Sequence, residues 1–235
     1  MFLVRRHEAS GFANLAYVFP GGSVIAADTS EASLSLSPTF SPAEAATILS
    51  RGDEAPSEAI DCLSYWIAAA RELLEEAGVL LHDDARSPDR FEITKARLRA
   101  LANGDDFAES VREMNVELSL DRLMYFSHWR TPAQSSKRYD TRFFITAMPA
   151  DQVASHCNIE TTDSLWISPR AAMERSEAKD LRLVYPTRAH ITRLLPFDSV
   201  GDALDFARTK EIRCVEAVVK PDKSIYVAPE LITCW

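Results

Sequence analysis

The stretch that most constrains this chain is residues 60–77, where apolar and acidic side chains separate onto two sides of a helix. At about 100° per residue, Trp66, Ile67, Ala70, Leu73, Leu74 and Ala77 populate one side, and Glu72, Glu75 and Glu76 share an arc of about 100° roughly opposite. Gly78 follows where a left-handed cap is wanted. Such a helix packs through its apolar face and offers three carboxylates outward. Left alone the arrangement is unfavourable, because Glu72 and Glu76 repel at i, i+4 and acids in a last turn oppose the helix dipole, each by a few tenths of a kcal/mol. Arg71, at i, i+4 from Glu75, relieves part of this. A divalent cation relieves much more, and hard oxygen ligands suit magnesium or manganese.

A chain of 235 residues holds one enlarged domain or two small ones, and one domain with insertions is the simpler reading. Its 46% hydrophobic and 26% charged residues describe an ordinary globular protein with ample core material. The net charge of −9 argues against broad electrostatic binding to nucleic acid or an anionic membrane, yet not against a phosphorylated small molecule met by local cations or a metal. Cys62, Cys157, Cys214 and Cys234 form no CxxC pair, so reduced thiols are expected. Met1 to Arg6 is too short and charged for a signal peptide's apolar region, and no run approaches membrane-spanning length. A cytoplasmic protein without membrane or nucleic-acid partners is the expectation, with a homodimer left open.

Residues 2–5 and 15–19 read as short strands leading into the turn Pro20, Gly21, Gly22, and Val24 to Ala27 as a continuation of the sheet. From Asp28 to about Asp61 the composition shifts to Ser, Ala, Glu and Pro, with one short helix starting at Ser41, Pro42. This reads as an insertion and not as core. Val79 to Leu81 are expected as a strand. Residues 82–120 are polar and helix-prone, with helices over 93–101 and 107–114, and read as a second insertion or cap. Strand character returns at 123–128, 142–148 and 164–167, helices at 187–195 and 200–208 follow, and a hairpin turning at Pro221, Asp222, Lys223 ends the chain. No GxGxxG is present.

The string Arg71, Glu72, Leu73, Leu74, Glu75, Glu76, Ala77, Gly78, Val79 should arise by chance in roughly one chain in 10⁵ of this size. It resembles the second half of the Nudix box, GxxxxxE, seven residues, then REUxEExGU with U apolar. Read contiguously, the first half is absent, since Leu63 and Ser57 occupy the acid and glycine positions. Phe19, Pro20, Gly21, Gly22 matches the turn that opens the box, and Asp28 stands six residues after Gly22, where the family usually has glutamate. An insertion of about 35 residues between Asp28 and Arg71 restores both halves. A box split in this way is similar to the branch that includes peroxisomal coenzyme A diphosphatases, as are the runs Ser127 to Pro132 and Arg138 to Phe144.

The resemblance implies a Nudix α/β/α sandwich, a mixed sheet between helices, as a single domain over 1–235, with 29–59 inserted within the box and 82–120 a helical insertion or cap. It implies that Glu72, Glu75 and Glu76 hold magnesium or manganese and that Arg71 orients them. Gly22, beside Gly21, lets backbone approach the site, and Asp28 supports loop and helix. Water then attacks one phosphorus while metal neutralises the developing charge. Glu160 is the candidate for a general base on a distant loop, with a surface glutamate as its alternative. Arg6, Arg138 and Arg142 are candidates for substrate phosphates, with ordinary surface ion pairs as theirs.

The implied reaction is hydrolysis of the pyrophosphate in a nucleoside-diphosphate-linked small molecule, coenzyme A or acyl-coenzyme A by branch resemblance. Two alternatives stay open: a hydrolase of ADP-ribose, nucleotide sugars or dinucleotides, and a Nudix-fold binding or regulatory module without catalysis. The five histidines show no clustered ligand spacing, and Trp129 and Trp166 are expected as core or pocket wall. If the box is split, Gly22 must lie beside the glutamates in space.

Overall fold

A computed structural model of the chain describes residues 1–8, 14–52, 58–83, 86–132, 138–219, 225–228 and 231. Two small sheets form its centre. In one, β1 (Phe2–Arg6) lies between β2 (Tyr17–Val18) and β5 (Thr161–Trp166), antiparallel to both. In the other, β3 (Met124–Arg130) pairs antiparallel with β4 (Asp140–Ile145) and parallel with β6 (Cys214–Glu216), so pairing of both senses is present. A terminal hairpin joins β7 (Val218–Val219) to β8 (Ile225–Tyr226). The expected turn of that hairpin, Pro221 to Lys223, lies outside the described residues, as does Cys234.

Strand alternation, switched in β3 by a bulge between Tyr125 and Ser127, sends side chains to two helical layers. Tyr125 faces α3 (Ala59–Glu72), in a core with Trp66, Ile67, Leu74 and Leu80, whereas Trp129 and Val215 face α7 (Tyr185–Leu194) and α8 (Val200–Thr209). On β1, Phe2 packs towards the first core, and Leu3 joins Ile191 and Ala172, the latter on α6 (Pro169–Glu177). Helices on both faces of mixed strands give the expected α/β/α arrangement. Among the described residues no helix is long and apolar enough to cross a membrane.

The segment read as insertion and not as core is corrected. Beyond α1 (Glu31–Leu34), α2 (Pro42–Leu49) packs on α3, and Leu36, Phe40, Ala45 and Leu49 are buried in the main core, with the Phe40 and Trp66 rings 5.3 Å apart. Residues 82–120 also build core: α4 (Arg90–Ala102) contributes Ile93, Ala96 and Ala100, and α5 (Phe107–Glu113) contributes Phe107 and Val111. The polar composition hid this, because α4 buries only the stripe Ile93, Ala96 and Ala100 among 13 residues.

Two expected strands are absent. Ala26–Thr29 form a 3₁₀ turn, closed where the Asp28 carboxylate accepts the Ile25 N–H at 2.9 Å. Val79 to Leu81 form no ladder; the Gln152 amide accepts the Leu80 N–H at 2.9 Å and donates to its carbonyl at 2.7 Å, standing in for a neighbouring strand. Helix α6 and strand β6 were not anticipated. The first buries only Ala172 behind its Ser168 cap and Pro169, and the second is too short to show alternation.

Candidate active site

Helix α3 ends at Glu72, and Leu73–Ala77 continue as one π-helical turn before Gly78 adopts φ 67°. This widening re-aims Glu75 and Glu76 relative to an ideal helix, and such turns recur at functional sites. The carboxylates do not point into open solvent as the sequence suggested: Glu72, Glu75 and Glu76 are 8%, 8% and 3% exposed. The Gly21–Gly22 loop covers them. The Gly21 N–H donates to Glu76 Oε2 at 2.9 Å, and a Cβ on Gly22 would stand 2.3 Å from Glu72 Oε1, so only glycine fits there without displacing that carboxylate.

Arg71, 3% exposed, is the centre of the cluster. Its Nε and Nη2 grip the two oxygens of Asp28 at 3.0 and 3.1 Å, and Nη2 also donates to the Ser23 carbonyl at 2.8 Å. Its Nη1 donates to Glu72 Oε1 at 2.8 Å and Glu75 Oε2 at 3.0 Å. One guanidinium therefore ties both halves of the sequence motif together across the excursion between Asp28 and Arg71. The planar fork makes this possible; an ammonium could not meet the same set.

The charge balance is poor. Burial pushes the Glu76 carboxyl up to about 7 against the Gly21 hydrogen bond, and burial likewise pushes Glu75 up to about 7 despite Arg71. Burial also raises Glu72. Burial alone would lower Arg71, but Asp28, Glu72 and Glu75 drive it well above its ordinary value. Glu75 Oε1 is buried without a hydrogen-bond partner. Hard oxygen donors, surplus negative charge and an orphaned carboxylate oxygen fit a divalent cation. Among the described residues, however, no three His, Cys, Asp or Glu side chains already converge as a metal-ligand set. Glu72 and Glu75 turn an oxygen to Arg71, and Glu76 turns one to Gly21.

Two other candidates lie at this cluster. Glu160 is exposed, yet close enough to raise Glu72, Glu75 and Glu76, and its carbonyl accepts the His7 N–H at 3.0 Å. Arg6, at the end of β1, is close enough to lower Glu76, and its Nε is buried without a partner. Arg142 belongs elsewhere, stacked 4.0 Å from the Tyr65 ring with Nη1 3.5 Å from Asp140, two helical turns before Glu72. Arg138 is exposed and has no ion pair among the described residues.

A family model described as the NUDT19 Nudix domain matches residues 1–194. The chain belongs to the Nudix family, in its NUDT19 branch. Relatives of this Nudix chain include the proteins named acyl-coenzyme A diphosphatase NUDT19 from Xenopus laevis, 26% identical over 92% of the chain, and Gallus gallus, 27% identical over 92%. The putative nudix hydrolase 7 of Caenorhabditis elegans is 25% identical over 83% of the chain. The chain spans 65%, 66% and 55% of those relatives' own lengths. A solved Nudix hydrolase from Alicyclobacillus acidocaldarius shares the fold, with a TM-score of 0.63 at 21% identity, covering 87% of this chain and 86% of that one.

Sequence reasoning missed three residues that pack on this cluster or bind its backbone. Gly104 packs where a Cβ would come 2.8 Å from Ile25 Cδ1 and 3.8 Å from Glu75 Oε1. Arg97 and Ser155 bind the backbone of the π-helical turn: Arg97 Nε donates to the Glu75 carbonyl and Nη2 to the Glu76 carbonyl, both at 3.0 Å, and the Ser155 N–H donates to the Ala77 carbonyl at 2.9 Å. None stands in a motif. A basic residue in a polar helix carries no signal that it will turn inward.

Proposed function

We propose that this Nudix domain hydrolyses the pyrophosphate of coenzyme A or an acyl-coenzyme A, with magnesium or manganese held by Glu72, Glu75 and Glu76. The observation that carries the reading is the buried carboxylate cluster, organised by Arg71 and closed by Gly21 and Gly22; the substrate class is taken from the names of the NUDT19 relatives. When bound, the cation supplies Lewis acidity, drawing charge from phosphoryl oxygens and acidifying water. Arg71 holds Glu72 and Glu75 in place while Asp28 and Ser23 hold Arg71. Gly21 fixes one oxygen of Glu76. Arg6, with its unpartnered Nε, takes a diphosphate oxygen, and Glu160, exposed beside the cluster, accepts a proton from the attacking water. Arg142, stacked on Tyr65, and Arg138, exposed just before β4, are left to the more distant parts of the substrate.

In the same reading residues 1–235 are one Nudix domain, with 29–59 inserted within the Nudix box and 82–120 inserted after it. The test is a metal-supplemented assay over coenzyme A, acyl-coenzyme A, ADP-ribose, nucleotide sugars and dinucleoside polyphosphates, with products identified by mass. Release of adenosine 3′,5′-bisphosphate and the matching 4′-phosphopantetheine supports it. A clearly higher kcat/KM for ADP-ribose or a nucleotide sugar overturns the substrate, and no turnover of any diphosphate overturns the hydrolase.

A further inference from the structure

We infer that Arg97, on α4 and remote from the sequence motif, is a positioning residue that locks the turn carrying Glu75 and Glu76 to the loop carrying Glu160; the inference rests on the hydrolase reading above.

The backbone accounting at the end of the π-helical turn gives the reason. The Gly78 N–H returns to the Leu74 carbonyl and the Val79 N–H to Leu73, while the Leu80 N–H goes to Gln152. The carbonyls of Glu75 and Glu76 are therefore met from outside the turn, by Arg97 Nε and Nη2. The same guanidinium donates from Nη2 to the Ser155 carbonyl at 2.7 Å and from Nη1 to Ser155 Oγ at 3.1 Å. Ser155 in turn caps Ala77. From there the loop is held by its own bonds, the Cys157 N–H to Thr161 Oγ1 at 3.2 Å and the Glu160 N–H to Cys157 Sγ at 3.3 Å. One planar side chain thus spans two segments that approach the carboxylate cluster from different parts of the chain.

Gly78 has a second role in this arrangement. It takes the left-handed cap conformation, and a Cβ there would stand 2.8 Å from Arg97 Nη1. The glycine that caps the turn also makes room for the clamp. A simple helix cap would bind the turn alone; the four contacts of Arg97 divide equally between turn and loop. A lysine keeps the charge but cannot span both.

The experiment compares the full chain with Arg97→Ala, Arg97→Lys and Arg99→Ala. Arg99 lies on the same helix and pairs at the surface with Glu109 and Glu113, so its variant reports loss of an ordinary ion pair. Hydrogen exchange over 73–80 and 153–161, binding of Mn²⁺ alone, and kcat and KM for acyl-coenzyme A are measured. Arg97→Ala is expected to speed exchange in both segments together, weaken Mn²⁺ about 10-fold and lower kcat about 10- to 100-fold, the scale for groups supporting ligand positions. KM stays within about threefold, as expected when an interaction acts only in the transition state. Arg97→Lys falls between, and decides the matter if the alanine variant does not fold; Arg99→Ala leaves all three readouts unchanged. Faster exchange confined to 73–80, or unchanged kcat and Mn²⁺ affinity, overturns the inference. If the unaltered chain hydrolyses no diphosphate, the hydrolase reading fails, while exchange and Mn²⁺ binding still decide the role of Arg97.

Discussion

Replacing Arg71 by methionine removes the guanidinium that ties Asp28 and Ser23 to Glu72 and Glu75. The buried guanidinium donates five hydrogen bonds, two to Asp28 and one each to Ser23, Glu72 and Glu75. Removing one partner of a buried ion pair costs about 3–5 kcal/mol, because the remaining charge is left uncompensated. For a chain of this size that corresponds to a loss of about 6–20 °C in Tm. The loss must depend on pH. Burial holds Glu75 and Glu76 at about 7 in the folded chain against an ordinary 4.5, so protonation favours folding. That contribution is complete below about pH 4.5 and is lost as pH rises through about 7. Without Arg71 the Glu75 carboxyl rises further, and the deficit grows between pH 5.5 and 8. Urea and thermal unfolding in chelator, on the unaltered chain, Arg71→Met and Arg71→Lys, give the measurement. Lysine should recover only part of the loss. A deficit at pH 8 no larger than at pH 5.5 would refute the reasoning.

Other outcomes follow from the same geometry. Gly22→Ala pushes a methyl group onto Glu72 and should lower turnover more than it lowers Tm, measured on the same preparation. Glu76→Gln should cut kcat by about 100-fold or more, the scale of removing a group that stabilises developing charge, yet raise metal-free Tm at pH 8, since a neutral side chain replaces a buried carboxylate; unchanged activity at saturating magnesium removes Glu76 from the site. The rise in Tm on adding Mn²⁺ should be larger at pH 8 than at pH 6, because protons compete at Glu75 and Glu76, and an equal rise would place the ion elsewhere. Phe40→Ala should cost about 3–5 kcal/mol by urea unfolding, a loss expected only of true core.

What was legible in the sequence was the part with periodicity or order. The apolar stripe through Trp66, Ile67, Ala70 and Leu74 fixed how α3 packs, and the spacing from Gly22 to Asp28 pointed to the turn that now covers Glu72 and Glu76. Burial of the carboxylates was not legible, because a helical wheel describes one helix and not the loop laid over it. Val79 to Leu81 have strand composition but join no ladder; a glutamine side chain binds both backbone groups of Leu80, and the Leu81 carbonyl accepts from the Ser119 N–H. Arg142 sat in a segment similar to the family yet stacks on Tyr65 away from the carboxylates, and Arg97, in no such segment, reaches their backbone.

The split itself has a simple energetic account. Asp28 and Arg71 meet at 3.0 Å, so the chain between them closes a loop six times longer than the seven residues of the contiguous pattern. Loop closure grows as about (3/2)RT ln n, which makes the added cost about 1.5 kcal/mol. Burying a single leucine or phenylalanine side chain contributes about 1.5–3 kcal/mol, and this excursion buries Leu36, Phe40 and Leu49, each at most 5% exposed. The closure cost is thus no larger than the burial of one such side chain. The excursion is therefore held by the core it completes over Trp66, and excising it would expose that face of α3. Because α3 carries Arg71 and Glu72, the packing of α2 on α3 and the placing of the carboxylates are one structural problem.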